Sequence, residues 1–199
     1  MASASDQNRG LLLVISGPSG VGKTTITRAL ERRLGGVFSV SATTRPRAEG
    51  EVDGRDYCFR SDLEFQQLAD EGAFLEQAQV YGEYRYGTPR EPVDRQVAAG
   101  KLVILDIDVQ GARQVKQAMP DALTLFILPP SDAELLRRLR ERRRENEASI
   151  QRRFDEAKRE IAFAQGSSVY DAHIVNDDLE RAIDDACCLI NHRRTMYQG

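Results

Sequence analysis

Short apolar runs recur along the chain, and stretches with helical spacing of apolar residues separate most of them. Five runs have the length and aliphatic character of buried strands: Leu11–Ile15, Val37–Val40, Leu102–Leu105, Leu123–Leu128 and His173–Val175. Strands that alternate with helices are typical of a largely parallel sheet flanked by helices. The pattern therefore predicts an α/β fold with such a sheet at its core.

Residues 38–88 break this alternation, with short strand-like runs such as Tyr57–Phe59 and Phe74–Val80. We interpret the segment as a small inserted subdomain of strands and one helix. A second departure, 137–153, contains five arginines between Arg138 and Arg144. The remaining chain then forms the core, from three stretches: 11–37, 89–136 and 154–199. The polar residues 1–10 are expected to be a disordered leader.

Composition narrows the kind of protein. The 199 residues are 41% hydrophobic, which suffices for one sizeable core. A net charge of −3, from 28 basic and 31 acidic residues, provides no overall field for nucleic acid or an acidic membrane. The three cysteines have neither metal-ligand spacing nor an even number, which is typical of a reducing compartment. We expect a cytoplasmic protein that is a monomer or homodimer and has no nucleic-acid partner. We also expect no membrane partner, since no apolar run is long enough for a membrane span.

The first predicted strand leads directly into a phosphate-binding loop of the pattern G-x-x-x-x-G-K-[ST]. Backbone N–H groups of such a loop surround a phosphate chain, and the helix that follows points its positive dipole end at the same charge. Lys23 is expected to reach the β- and γ-phosphates, and Thr24 to hold Mg²⁺. The predicted site for a nucleoside triphosphate comprises nine consecutive residues: Gly17, Pro18, Ser19, Gly20, Val21, Gly22, Lys23, Thr24 and Thr25.

Two carboxylates follow the predicted strand Leu102–Leu105. Ligands of open parallel sheets bind beyond the carboxyl ends of the strands. This placement suits Asp106 for supporting Mg²⁺ and Asp108 for meeting a second substrate. Capping of the next helix is the alternative interpretation.

Arginines form two further candidate sites. Arg45 and Arg47, with nearby hydroxyls and Tyr57, suit a phosphomonoester because guanidinium groups match phosphate oxygens bidentately. A solvated polar loop would have the same composition. The cluster at 138–144 resembles a solvated face or a nucleic-acid patch when taken alone. Beside a triphosphate loop, it favours arginines that close over a transferring phosphoryl group.

Taken in order, seven motifs between residues 11 and 195 resemble those of guanylate kinases. They are Gly17-Pro-Ser-Gly-Val-Gly-Lys23, Ser39-Val-Ser-Ala-Thr-Thr-Arg45, Gly50-Glu-x-x-Gly-x-x-Tyr57, Phe74-Leu-Glu76, Tyr86-Gly-Thr88, Ile104-Leu-Asp-Ile-Asp-Val-Gln-Gly111 and Ile174-Val-Asn-Asp-Asp178. The resemblance implies a P-loop nucleoside monophosphate kinase fold, with a GMP-binding insertion at 38–88 and a mobile lid at 137–153. It also implies phosphoryl transfer from ATP, with Mg²⁺, to GMP or dGMP.

The resemblance assigns roles to individual side chains. Four would surround guanine: Ser41, Glu76, Thr88 and Asp108. Three would hold the GMP phosphate: Arg45, Tyr57 and Tyr86. Asn176 would lie by the adenine of ATP. The chemistry at Glu76 is reasonable in itself, because a carboxylate accepts both N1–H and the exocyclic amine of guanine, which adenine cannot match.

The chain departs from the family pattern at the GMP phosphate. Ala48 occupies the position of the family's second phosphate-binding arginine, and Arg47 comes one residue early. Either the loop shifts its register so that Arg47 makes the contact, or the contact is weaker. One extra residue precedes Tyr86, so Tyr84 competes for its role.

In the lid, the resemblance places Arg142 and Arg153 near the transferred group. Three further arginines are expected to be largely solvated: Arg138, Arg140 and Arg144. Glu141 and Arg143 stand where the family often has glycines, which would stiffen the lid or add charge to it.

Two other functions remain open at this point. One is a catalytically inactive guanylate-kinase-like module that binds phosphopeptides, which intact Lys23, Thr24 and Arg142 argue against. The other is a kinase of a different phosphomonoester, such as a ribose bisphosphate, which Glu76 with Thr88 argues against. A P-loop GTPase is less compatible still, because the chain lacks an Asn-Lys-x-Asp guanine motif.

Overall fold

The computed structural model describes residues 10–80, 83–141 and 146–196. Most of the predicted leader and the lid arginines Arg142, Arg143 and Arg144 lie outside these residues. The described chain forms nine strands and seven helices in this order: β1 (Leu11–Ser16), α1 (Lys23–Leu34), β2 (Val37–Phe38), β3 (Ala42–Thr43), β4 (Cys58–Phe59), α2 (Asp62–Asp70), β5 (Phe74–Val80), β6 (Tyr84–Pro89), α3 (Arg90–Ala98), β7 (Leu102–Asp106), α4 (Val109–Ala118), β8 (Leu123–Leu128), α5 (Asp132–Glu141), α6 (Glu147–Gly166), β9 (Ala172–Val175) and α7 (Leu179–Met196).

The core is a five-stranded sheet in the order β2-β7-β1-β8-β9, and all of its strand pairs are parallel. All six residues of the central strand β1 are buried. Helices α1 and α7 cover one face, and α3, α4 and α6 cover the other. Each of the five predicted runs forms one of these strands, so the α/β fold with a parallel sheet is confirmed.

A second sheet lies within residues 42–89 and has the order β4-β3-β6-β5. It is mixed, since β3 pairs parallel with β4 and antiparallel with β6. Helix α2 covers it through Phe65, whose ring stacks on Phe74 at 4.5 Å between centroids. The side chain of Gln114 in α4 joins this sheet to the core, because its amide pairs with both backbone groups of Gln77 in β5, at 3.1 and 2.9 Å.

Helices α5 and α6 include the described parts of the predicted lid, 137–141 and 147–153, and pack on each other through Leu135, Leu139 and Ile150. Arg140 is exposed, as expected, and pairs with Glu147. The expectation for Arg138 is wrong. Its side chain is only 22% exposed, because it pairs with Glu134 one turn earlier and donates to the carbonyl of Asn176 at 3.0 Å. Among the described helices, none combines the length and apolarity needed to cross a bilayer.

Candidate active site

The phosphate loop connects β1 to α1, and its backbone shape depends on glycine. Gly22 has φ of 102°, and a Cβ at that position would stand 2.5 Å from Nδ2 of Asn176. A Cβ on Gly17 would stand 2.5 Å from the carbonyl oxygen of Ile127. The Nζ group of Lys23 donates to the carbonyl of Gly17 at 2.5 Å and that of Pro18 at 3.3 Å, so its charge lies over the loop.

Asn176 comes directly after β9 and supports this loop. Its side chain is 5% exposed, and Nδ2 donates to the carbonyl of Val21 at 2.7 Å. Its backbone N–H donates to Leu128 at 2.8 Å, and its carbonyl accepts from Arg138. The structure therefore brings the residue assigned to adenine into direct contact with the backbone of the phosphate loop.

Asp106 ends β7 and Asp108 comes two residues later, so both lie at the carboxyl edge of the core sheet. Burial raises the pKa of Asp106, and the charge of Lys23 opposes that rise. Oδ1 of Asp108 accepts from the backbone N–H of Gly111 at 2.7 Å and caps α4. The capping interpretation of Asp108 is thus correct, and the same residue also lines the two cavities described next.

Two cavities meet at this edge. The larger has a volume of about 740 Å³ and lies between α1, the end of β7 and the second sheet. The smaller, of about 250 Å³, lies against the phosphate loop and α6. Both include Asp106, Ile107 and Asp108 in their walls. A ligand held by the phosphate loop would therefore be next to a ligand in the larger cavity.

Glu76 is the buried one among the five acidic residues described in the wall of the larger cavity. It is 5% exposed, and its Oε1 accepts from the hydroxyl of Thr88 at 2.6 Å. A Cβ on Gly111 would stand 2.8 Å from Oε2 of Glu76, so glycine leaves room for the carboxyl group. Burial raises the pKa of Glu76 to about 7, although the Thr88 hydrogen bond opposes the rise. The group is a buried acceptor beside an open cavity.

Arg45 lies next to this cavity with two tyrosines. Its guanidinium pairs with Glu51 at 2.6 Å and stands 5.4 Å from the ring centre of Tyr57. The rings of Tyr57 and Tyr86 meet edge to face at 5.9 Å, and both line the cavity. Of the two competing tyrosines, Tyr86 is the one in the described wall, where Tyr84 is absent.

The loop around Arg47 does not contribute this arginine to the described cavity walls. Arg47 is exposed and is not among the described residues that line either cavity. The backbone N–H of Ala48 donates to Oε2 of Glu51 at 2.7 Å. Glu51 thus holds both Arg45 and the turn at Ala48, and this fixes the register of the loop.

The other predicted residues fall at the same edge. Ser41 and Thr24 line the larger cavity. Thr25 stands beside Thr24 in the first turn of α1. Arg153 lines the smaller cavity and donates to the hydroxyl of Ser19 in the phosphate loop. Arg142 falls outside the described residues.

The sequence patterns did not identify three charged residues that line the cavities, one acidic and two basic. Glu160 lines the smaller cavity, and burial raises its pKa to about 7. Its position two helical turns after Arg153 is a signal that would have placed both on one face of α6. Arg28 and Arg55 line the larger cavity. They are unremarkable in sequence, because one resembles a helix surface residue and the other a turn residue.

A phosphate loop at the carboxyl edge of a parallel sheet, opening onto a pocket carried by a second sheet, defines a P-loop nucleoside monophosphate kinase fold. The family model described as guanylate kinase matches residues 9–193. The chain belongs to the guanylate kinase family, which confirms the resemblance seen in its motifs.

Similar proteins agree with this assignment. The chain is 51% identical to a guanylate kinase of Thermosynechococcus vestitus, over 92% of this chain and 94% of that protein. It is 50% identical to one of Nostoc sp., over 87% and 86% of the two chains. The crystal structure of guanylate kinase from Anaplasma phagocytophilum superposes with a TM-score of 0.73 at 34% identity, covering 94% of this chain and 88% of that one.

Proposed function

We propose that this protein transfers the γ-phosphoryl group of ATP to GMP or dGMP, producing ADP and the corresponding diphosphate. The observation that carries the proposal is Glu76, a buried carboxyl group in a cavity that meets the phosphate loop. Its location suits recognition of an acceptor base at the far end of the cavity. The phosphate loop suits the donor nucleotide at the near end.

Selectivity for guanine would come from the cost of leaving buried hydrogen-bonding groups unpaired when another base binds. The Glu76 carboxylate accepts from N1–H and the N2 amine of guanine, with three further side chains around the base: Ser41, Thr88 and Asp108. Adenine offers no such adjacent pair of donors. Its binding would leave a buried acceptor without a partner, which discriminates by orders of magnitude.

The two phosphate groups would be held by different means. Arg45, Tyr57 and Tyr86 bind the GMP phosphate, and Arg47 joins them only if its exposed loop folds over the cavity. The loop of residues 17–25 binds the phosphates of ATP, with Asn176 beside the adenine. In this proposal residues 38–88 are the GMP-binding unit and residues 137–153 the lid.

Transfer needs no nucleophile from the protein. An oxygen of the GMP phosphate attacks the γ-phosphorus in line, and the protein supplies position and positive charge. Lys23 and the lid arginines Arg142 and Arg153 stabilise the charge that spreads over the transferred group. Closure of the lid excludes water from the reacting phosphates.

The donor set of the site fits Mg²⁺. Thr24 supplies a hydroxyl and Asp106 a carboxylate, and both line the same cavity. Such hard oxygen ligands suit this ion, which usually retains waters and phosphate oxygens as its other ligands. When bound, the ion would neutralise charge on the donor phosphates.

A coupled assay of ADP release tests the proposal. ATP is offered with GMP, dGMP, AMP, CMP, UMP or a ribose bisphosphate. We expect turnover with GMP and dGMP alone. Equal turnover with AMP would contradict the role of Glu76, and turnover with ribose bisphosphate alone would replace GMP as the acceptor. No turnover together with phosphopeptide binding would favour the binding module.

A further inference from the structure

Cations are scarce in the wall of the larger cavity. Among its described lining residues, Arg28 and Arg55 are the two with a positive charge. Five lining residues have carboxyl groups: Glu31, Asp56, Glu76, Asp106 and Asp108. A phosphomonoester carries a charge between −1.5 and −2 at neutral pH. A cation in the cavity wall would offset this charge.

Arg55 is already engaged. Its Nη2 and Nε both donate to Oδ2 of Asp56, at 2.8 and 3.1 Å. The same oxygen accepts from the backbone N–H of Val52 at 2.8 Å. Asp56 thus joins Arg55 to the turn before Tyr57, so the guanidinium group of Arg55 already has a partner in its own loop.

Arg28 has no such partner among the described residues. Within the residues that the structure describes, it forms no ion pair or hydrogen bond, and its side chain is exposed. By contrast, Arg45 is held by Glu51, and neither Arg45 nor Arg47 belongs to the described cavity wall. Arg28 is thus the lining cation whose donors are available to a ligand.

The position of Arg28 matches the acceptor phosphate. It follows Thr24 by four residues, so the two side chains lie on one face of α1, about one turn or 6 Å apart along the axis. In-line transfer requires the acceptor phosphate to lie against the γ-phosphate held at Lys23 and Thr24. The phosphate end of the cavity is therefore the end that contains Arg28, and the base end contains Glu76.

We infer that Arg28 binds the 5′-phosphate of the acceptor nucleotide, with its planar guanidinium group donating to two phosphate oxygens. The inference rests on the proposed function, since it takes GMP as the acceptor. It adds a contact from the core side of the cavity to those of Arg45, Tyr57 and Tyr86 on the second sheet. A phosphate bound from both sides would also draw the two walls together.

The test compares Arg28→Ala and Arg28→Lys with Arg32→Ala, a control that also removes an exposed arginine from α1 but lies outside the described cavity wall. Steady-state KM values are measured for GMP and ATP. The competitive inhibition constant of guanosine, which lacks the phosphate, is measured in parallel. Thermal melting checks that each variant is folded, which we expect because alanine favours helix.

We expect Arg28→Ala to raise the KM for GMP about tenfold or more, the usual effect of losing a charge-assisted hydrogen bond. The guanosine inhibition constant and the KM for ATP should stay within about twofold. Arg28→Lys should be intermediate, because it keeps the charge and loses the bidentate geometry. Arg32→Ala should match the wild type.

Three results would overturn the inference. An unchanged KM for GMP in Arg28→Ala, while the wild type uses GMP normally, would remove the inference and leave the proposed function standing. Equal losses for GMP and guanosine in Arg28→Ala, with Arg32→Ala unchanged, would show instead that Arg28 supports the shape of the pocket and does not bind the phosphate. A wild type that does not use GMP would remove both the proposed function and this inference.

Discussion

The two adjoining cavities form one cleft with two ends, the donor end at the phosphate loop and the acceptor end at Glu76. The two ends are built differently. At the donor end, backbone groups of one short loop surround the phosphate position, and the loop is supported by Asn176. At the acceptor end, residues from separate elements form the pocket: the buried side chains of Glu76 on β5 and Thr88 on β6, with Gly111 on α4 leaving room for the carboxyl group. In the proposed function, the first arrangement would recognise the phosphate chain of any nucleotide, whereas the second would recognise one base.

The charged groups at the two ends also differ. Lys23 places a positive charge at the donor end, where charge develops during transfer. Glu76 places a carboxyl group at the acceptor end, where burial raises its pKa to about 7. We therefore expect substitutions at the donor end to reduce the rate and substitutions at the acceptor end to reduce selectivity.

The largest expected effect is at the donor end. Lys23→Ala should lower kcat by about 10³-fold or more and leave the fold intact, because the charge over the transferred group is lost. Activity is measured in the coupled assay and folding by circular dichroism. Lys101→Ala, which removes an exposed lysine outside both described cavity walls, is the control. Near wild-type activity in Lys23→Ala would end the proposed kinase mechanism.

At the acceptor end, Glu76→Gln should lower kcat/KM for GMP by roughly 10²- to 10³-fold, because an acceptor becomes a donor facing the donors of guanine. ATP affinity, measured by calorimetry, should change little. Glu71→Gln alters an exposed carboxylate and should have no effect. An equal loss of affinity for both nucleotides would mean that Glu76 is structural and that the two ends are not independent.

Substitutions in the lid should mainly reduce the rate, as substitutions at the donor end do. Arg153→Ala should lower kcat about 10²-fold with a modest change in KM, the signature of a contact made mainly in the transition state. Arg142→Ala should behave alike, and Arg152→Ala, at an exposed neighbouring position, should not. Matched losses of kcat in all three variants would indicate a diffuse field rather than two specific contacts.

The last expected effect concerns stability rather than turnover. The raised pKa of Glu76 means that the folded protein keeps a proton that the unfolded chain releases above about pH 4.5. Stability should therefore fall as pH rises from 4.5 to about 7, by up to about 3 kcal/mol. Glu76→Gln should remove this loss and be the more stable protein at pH 8, with little difference at pH 4.5. Urea unfolding without nucleotide at both pH values checks this, and a difference independent of pH would contradict it.

The core sheet was predictable because parallel strands covered on both faces are continuous apolar runs. The second sheet was less predictable from the sequence. Strands β3 and β4 have two residues each, too short for a periodic pattern, and β2 ends at Phe38 where the chain leaves the core for the second sheet. The roles of residues in that sheet came from the resemblance to guanylate kinases and stay predictions.

Arginines show where the residue pattern failed. The solvated position expected for Arg138 was wrong because the carbonyl that binds it belongs to Asn176, 38 residues later. Arg28 was not selected at all, since an arginine on an amphipathic helix is normally a surface residue. The sequence shows how many arginines a segment has. It does not show which of them form contacts, because the partner residues are distant in the chain.

The sequence by itself determined the α/β fold, the phosphate loop and the family, because each depends on residues that are adjacent or regularly spaced. Tertiary structure alone decided which side chains share a cavity. Glu76 and Gly111 are 35 residues apart, yet a Cβ on Gly111 would stand 2.8 Å from the Glu76 carboxyl group. Burial of that group shifts its pKa, and burial depends on packing between elements that no local pattern encodes.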